Sequence, residues 1–235
     1  MISDWDLRAQ ADAAFYVFRE ARGDSEEFSE SGRRDLSSIV LPGVELPRGA
    51  TVVEIGCGIG RLTRELAPHV ARLFACDISE EMLSRARARC AGILHIEFLR
   101  IDGDLAPVPS GIADFVFSHL VFQHVPLRNL IRRYLAEAFR TLKPGGVFRA
   151  NVDGRSRQWW RRVLADSWSG VVFSESGWRR DLEAAGFEVG ETSGAGTQYL
   201  QATARKPAGL EKSANHFERE GRQELEMGLR SPVEK

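Results

Sequence analysis

The stretch best equipped for chemistry is Val52-Val-Glu-Ile-Gly-Cys-Gly-Ile-Gly-Arg. It follows a β-branched run and opens a helix. Gly56, Gly58 and Gly60 permit a tight turn and a close approach of backbone to a bound group. A helix beginning near Gly60 aims its free N–H groups at that group. The pattern is E-x-G-x-G-x-G, with Glu54 inside the strand end. The strict dinucleotide fingerprint G-x-G-x-x-G fails, because Arg61 stands at its last glycine. Asp77 ends the next apolar run, 21 residues after Gly56. At this place in a doubly wound sheet a carboxylate accepts both hydroxyls of a ribose; the plainer alternative is a strand-end Asp that caps the next helix. Ile101-Asp-Gly-Asp-Leu puts an acid just past a third apolar run, within reach of an adenine amino group. Asp102 and Asp104 both qualify, and a solvated turn is the alternative.

The elements around these residues follow from periodicity. Thr51–Ile55, Ala71–Cys76, Ile96–Ile101, Asp114–Ser118 and Val147–Val152 read as strands. Between them, Arg61–Leu66, a helix capped by Ser79, and Pro126–Leu142 read as helices, the last ended by Lys143-Pro-Gly-Gly. A helix capped by Ser174 runs to Ala185 and leads into a sixth strand from Gly186 and a seventh over Thr197–Arg205. A glycine turn at Gly194 and Gly196 makes these two an antiparallel hairpin at the sheet edge. Strands alternating with helices predict an α/β fold, a doubly wound and mostly parallel seven-stranded sheet with helices on both faces. Residues 1–49 predict a helical cap. Its first helix runs through Leu7, Ala11, Ala14, Phe15 and Phe18, and a second from about Glu26 to Ile39. Residues 50–206 form the main domain, 154–173 an insertion and 207–235 a polar tail of loosely held helix or disorder.

In this order the pieces VVEIGCGIGRLT, CDISEEML, GDLAPVPSGIADFVFSHLVFQHV and LKPGG resemble the core of class I S-adenosylmethionine-dependent methyltransferases over residues 51–150. The hairpin 187–205 resembles the end of that fold, whose seventh strand is antiparallel. The resemblance implies S-adenosyl-L-methionine as cofactor and S-adenosyl-L-homocysteine as product. It implies that Glu54, Gly56, Cys57, Gly58 and Gly60, with Arg61 following, hold the methionine portion and that Asp77 holds the ribose. Ile78 would stack on adenine, Asp104 and Leu105 would bracket its edge, and Ser118 and His119 would sit by the methyl group. His119, ending a central strand, is the candidate base or orienter; its alternative is a hydrogen-bonded wall residue. His124 is a second candidate, with a structural role in the turn before Pro126 as its alternative. Cys57 need be no more than a small residue in the loop.

Composition bounds the rest. The chain has 235 residues, 43% apolar and 28% charged, which suits one α/β domain with an extension and rules out wholesale disorder. Three cysteines without metal-like spacing argue for a reducing compartment and against a zinc site or disulfide framework. No apolar run is long enough to span a bilayer, and acids crowd the first twenty residues where a secretory signal would be apolar. The expected location is cytoplasmic. A net charge of −1 makes nucleic acid an improbable partner for the whole chain. Arg155 to Trp168 concentrates Arg with Trp159, Trp160 and Trp168. The favoured reading is a lid over a small-molecule acceptor pocket, with an anionic acceptor as one class the arginines would meet; RNA binding through phosphate and stacking contacts is the rival. The function expected is methyl transfer to oxygen or nitrogen of a small molecule. An RNA or protein methyltransferase and a catalytically silent cofactor-binding partner subunit are the alternatives. A nicotinamide dehydrogenase fits poorly, having neither the glycine spacing nor an evident Tyr/Lys pair. Oligomeric state has no signature here.

Overall fold

The computed structural model describes residues 5–7, 25–155 and 170–209. The expected helix through Ala11 to Phe18, the Trp-rich part of the insertion and residues 210–235 lie outside them. Seven strands form one sheet in the order β3-β2-β1-β4-β5-β7-β6. They are β1 Thr51–Ile55, β2 Arg72–Asp77, β3 Ile96–Arg100, β4 Ala113–Ser118, β5 Leu142–Val152, β6 Glu188–Ser193 and β7 Leu200–Arg205. β1 to β5 pair in parallel, and β7 runs antiparallel between β5 and β6. The doubly wound mixed sheet expected from the sequence is therefore present.

Among the described residues, these helices flank it: α1 Glu26–Asp35, α2 Arg61–Leu66, α3 Glu80–Arg89, α4 Arg128–Thr141 and α5 Glu175–Ala184. Their starts follow local rules. Ser25, Ser79 and Ser174 each accept a backbone N–H of the first turn, from Phe28, Met82 and Gly177, and acids stand in each first turn. The apolar stripe of α4 buries Ile131, Tyr134, Leu135 and Ala138 on one face of the sheet, where Trp178 and Leu182 of α5 join them. Leu36 and Val40 after α1, Leu62 and Leu66 of α2 and Leu83 of α3 cover the other face, over Phe115 and Phe117. Full burial of aromatic side chains like these two contributes roughly 2–3 kcal/mol each, which is why the central strands read as almost continuous apolar runs.

Three boundaries differ from expectation. β5 begins at Leu142 and includes Lys143-Pro-Gly-Gly, because Leu142 already pairs with Ala113 and the register slips between Ala113 and Phe115. The glycines there are held from the far side, Gly145 N donating to the Lys206 carbonyl at 2.8 Å and Lys206 N to Gly146 O at 3.0 Å. β7 begins at Leu200 rather than Thr197. The Thr197 hydroxyl donates to the Gly194 carbonyl at 2.7 Å and closes the turn. β6 starts at Glu188, since the N–H groups of Gly186 and Phe187 still bond back to Glu183 and Leu182 at the end of α5.

The strand order reverses between β1 and β4, so the carboxyl ends of these neighbours open a crevice, the place where α/β sheets bind ligands. The glycine loop leaves β1 there, and Ser118-His119 leaves β4.

Candidate active site

The glycine loop is built by its own hydrogen bonds. Gly56 N and Cys57 N donate to the Cys76 carbonyl at 2.7 and 3.0 Å, and Gly60 N donates to Cys57 O at 3.0 Å. Gly58 N donates to a carboxylate oxygen of Asp77 at 2.8 Å. Gly56 has φ +80°, and a Cβ there would stand 2.3 Å from Cγ2 of Val121. The turn after β4 thus closes directly on the loop, which any side chain at this position would prevent. With the N–H groups of Gly56, Cys57, Gly58 and Gly60 engaged internally, this loop does not offer them to a pyrophosphate. It does not fit a dinucleotide, whose phosphates need such donors. It fits a cofactor without phosphates that lies along the loop beside an acid.

That acid is Asp77, buried at the end of β2. Its second oxygen accepts Ser79 N at 2.9 Å. Both readings of Asp77 therefore meet in one residue: it steadies the loop and the start of α3, and a carboxylate with two backbone donors retains lone pairs for two more. Burial raises its carboxyl above the usual range against the pull of the Ser79 and Gly58 amides. The Ser79 hydroxyl donates to Asp6 at 2.5 Å. The Trp5 ring meets His124 edge-on at 5.7 Å between centroids. Residues 5–7 thus lie across the crevice from the end of β2 to the turn after β4.

Glu54 is buried beneath the loop and accepts the Thr63 hydroxyl of α2 at 2.6 Å. Burial pushes its carboxyl up to about 7, although Thr63 and Arg61 oppose the rise. Burial also keeps the thiols of Cys57, Cys76 and Cys90 protonated, so none of the three is primed as a nucleophile. Ile78 is half-buried beside Asp77. On the adenine side, Asp104 is tied to Arg133 at 2.6 Å and to Ala106 N at 3.1 Å. Leu105 is fully buried in the core, and its N–H donates to Glu137 at 3.1 Å. Its side chain is committed to packing, and its carbonyl accepts Val108 N at 2.8 Å and Arg140 at 2.9 Å, so its backbone is engaged as well. Asp102 is exposed.

After β4, Ser118 is buried and its hydroxyl donates to the Ile55 carbonyl at 3.1 Å, tying the two strand ends together. His119 is buried and lines a small cleft with Ile39, Val40, Asn151 and Gln201 at the carboxyl ends of β4 and β5 and the start of β7. His124, one short turn further on, stands apart, with its Nε2 3.1 Å from the Gln123 amide. Sequence reasoning brought these residues to the right edge of the sheet but missed four others. Leu120 holds φ +61°, a left-handed conformation that is strained for a γ-branched side chain. Asn151 fixes it by accepting Leu120 N at 2.8 Å, while the Asn151 Nδ2 is buried without a partner among the described residues. Arg149 bonds to the carbonyls of Ile39, Val40 and Pro42 and to Thr203. Asp35, from α1, reaches His119. No motif signals any of the four, because each acts through contacts between distant segments.

Residues 53–150 match the family model described as a methyltransferase domain. Among curated proteins, 2-methyl-6-phytyl-1,4-hydroquinone methyltransferase of Synechocystis is 29% identical over 161 residues, covering 63% of this chain and 49% of that protein. Demethylmenaquinone methyltransferase of Tropheryma whipplei is 39% identical over 100 residues, 42% of this chain and 39% of that protein. The chain thus spans about half or less of the length of these relatives. Among solved structures, Haemonchus contortus phosphoethanolamine N-methyltransferase 1 superposes with TM-score 0.69 at 18% identity, covering 88% of this chain and 48% of that one. An S-adenosylmethionine-dependent methyltransferase of Aquifex aeolicus gives 0.57 at 23% identity, covering 79% of this chain and all of that one. The protein shares the α/β fold of these solved methyltransferases. Its residues 53–150 are the part that matches the methyltransferase-domain model.

Proposed function

We propose that this protein transfers a methyl group from S-adenosylmethionine to oxygen or nitrogen of a small-molecule acceptor. The observation that carries this reading is the convergence at the β1/β4 crevice. A glycine loop with its own amides engaged, the buried carboxylate of Asp77 and the turn after β4 meet there within van der Waals contact. In this reading Glu54 and Gly56 to Arg61 flank the methionine portion, Asp77 takes the ribose hydroxyls, Ile78 and Asp104 border the adenine, and Ser118 and His119 face the methyl group. The cofactor supplies an electrophilic methyl on a sulfonium. The protein's share is to exclude water, align the acceptor and, for a hydroxyl acceptor, take its proton. His119 is the base or orienter of that site; His124, held by Trp5 and Gln123, supports the turn. The relatives named as methyltransferases of 2-methyl-6-phytyl-1,4-hydroquinone and of demethylmenaquinone favour a small-molecule acceptor over a macromolecule.

The described part of the 155–180 stretch offers little to RNA phosphates. Arg155 is bonded to Asp153, and Arg179 to the carbonyls of Val189 and Gly190. Arg149 in the acceptor cleft is likewise committed, which favours a neutral polar group over an anion at that point. The test is calorimetric titration with S-adenosylhomocysteine, with NAD beside it. Saturable binding of the first alone is expected. Asp77→Ala removes two charge-assisted hydrogen bonds and is expected to weaken it by about 100-fold. Equal binding by wild type and variant would overturn the assignment of Asp77.

A further inference from the structure

Asp35 belongs to α1, outside the segment that matches the methyltransferase family, and nothing in its local sequence marks it. α1 is pressed unusually close to α2: a Cβ at Gly32 would lie 2.7 Å from the Arg61 carbonyl oxygen. That approach delivers the Asp35 carboxylate to the crevice. Its Oδ2 lies 2.8 Å from Nη1 of Arg61 and 3.5 Å from Nε2 of His119. The side chains of Arg61 and His119 are 4% and 8% exposed, and that of Asp35 11%, so the three form a group shielded from solvent. Arg61 also donates to the Ser31 hydroxyl at 3.2 Å, which anchors it to α1 from a second point. Burial alone would raise the Asp35 carboxyl, but His119 and Arg61 outweigh it and hold it below its ordinary value. Asp35 is therefore a carboxylate.

A carboxylate facing a histidine alone draws the ring toward the imidazolium, and an imidazolium has no lone pair with which to act as a base. Here the shorter contact to Arg61 neutralises the carboxylate. What remains for the imidazole is an oriented hydrogen-bond acceptor. An Nε2–H facing Asp35 leaves Nδ1 as the ring's only basic nitrogen, on the side chain that lines the cleft beside Asn151 and Gln201.

We propose that Asp35 is a positioning residue for His119: held by Arg61, its carboxylate accepts the imidazole Nε2–H and fixes the tautomer whose Nδ1 lone pair takes the proton of the methyl acceptor. This rests on the methyltransferase reading above. In the step it serves, the acceptor O–H breaks and its proton passes to Nδ1, the oxygen bonds to the methyl carbon, and the C–S electron pair stays on sulfur as a neutral thioether. The 3.5 Å separation is at the outer limit of hydrogen-bond reach.

The test needs no acceptor. The full chain labelled with ¹⁵N in its histidines is examined by long-range proton–nitrogen correlation at alkaline pH, with and without S-adenosylhomocysteine, and the signal of His119 is assigned as the one lost in His119→Gln. The expected result is one dominant tautomer, protonated at Nε2, in the wild type, and a mixture of both in Asp35→Ala. Should Asp35→Ala fail to fold, the wild-type spectrum still decides: protonation at Nδ1, or an even mixture, overturns the proposal. An unchanged tautomer in folded Asp35→Ala overturns it equally. Failure of S-adenosylhomocysteine to bind the wild type would instead overturn the methyltransferase reading, a result separate from the tautomer of His119.

Discussion

The two sides of the crevice are built on different principles. On the β1–β2 side, the glycine loop and Asp77 satisfy one another. The amides of Gly56, Cys57, Gly58, Gly60 and Ser79 all find partners between two adjacent strand ends. On the β4–β5 side, a non-glycine residue sits at φ +61°, a buried amide nitrogen of Asn151 has no partner among the described residues, and His119 is met by a carboxylate from α1. A self-consistent loop can hold one cofactor in one way. A side that carries strain and unmet hydrogen-bonding capacity is where structures keep what a variable substrate demands. On the function proposed above, cofactor affinity belongs to the first side and acceptor chemistry to the second.

The comparison breaks most visibly at Gly56. Gly56→Ala adds left-handed strain and a clash with Val121, together about 4 kcal/mol of destabilisation. It is expected to lower the urea midpoint sharply and abolish S-adenosylhomocysteine binding in whatever folds. A loss below about 1 kcal/mol would show that the turn after β4 yields easily, and the contact between the two sides would lose its meaning.

Glu54 sharpens it through pH. Its carboxyl is raised from 4.5 to about 7 by burial, so the folded state binds the proton more tightly than the unfolded chain. Stability attributable to this group is greatest below about pH 4.5 and falls as pH rises to about 7, by roughly 3 kcal/mol over the window. Glu54→Gln is expected to remove that slope. Urea titrations of both proteins at about pH 5 and pH 8 measure it, and parallel profiles would mean that Glu54 stays ionised throughout.

The smallest effect is expected at Asn151. Asn151→Ala deletes the acceptor that pins Leu120 but also deletes an orphaned donor. The two partly cancel, for a net cost of about 1 kcal/mol rather than the 2–3 of a satisfied buried group. A cost above about 3 kcal/mol by equilibrium unfolding would reveal a partner for Nδ2 and weaken the contrast between the two sides.

Much of the architecture was legible in advance because it rests on local rules. Thr51–Ile55 stands as read from its β-branched run, and the caps Ser79 and Ser174 stand where small hydroxyls precede acids. The misplaced start of β5 has a long-range cause. Lys143-Pro-Gly-Gly carries turn residues, yet its backbone groups are paired by Lys206, some sixty positions away, which no local window contains. Leu105 shows the same limit at the site: an apolar residue beside an acid reads equally well as an adenine contact and as core, and burial decides for the core.

The sequence by itself therefore determined what neighbours along the chain dictate: the alternation of strands and helices, the glycine loop after β1, and an acid at the end of β2 to face it. Those features depend on backbone conformation and on the period of apolar residues, both written in short stretches. Only the tertiary structure decided which side chains are already engaged. It tied Asp104 to Arg133, and it brought Asp35 from α1 to a histidine 84 positions later. Such pairings are fixed by how closely helices pack on the sheet, a property of the whole assembled core rather than of any segment within it.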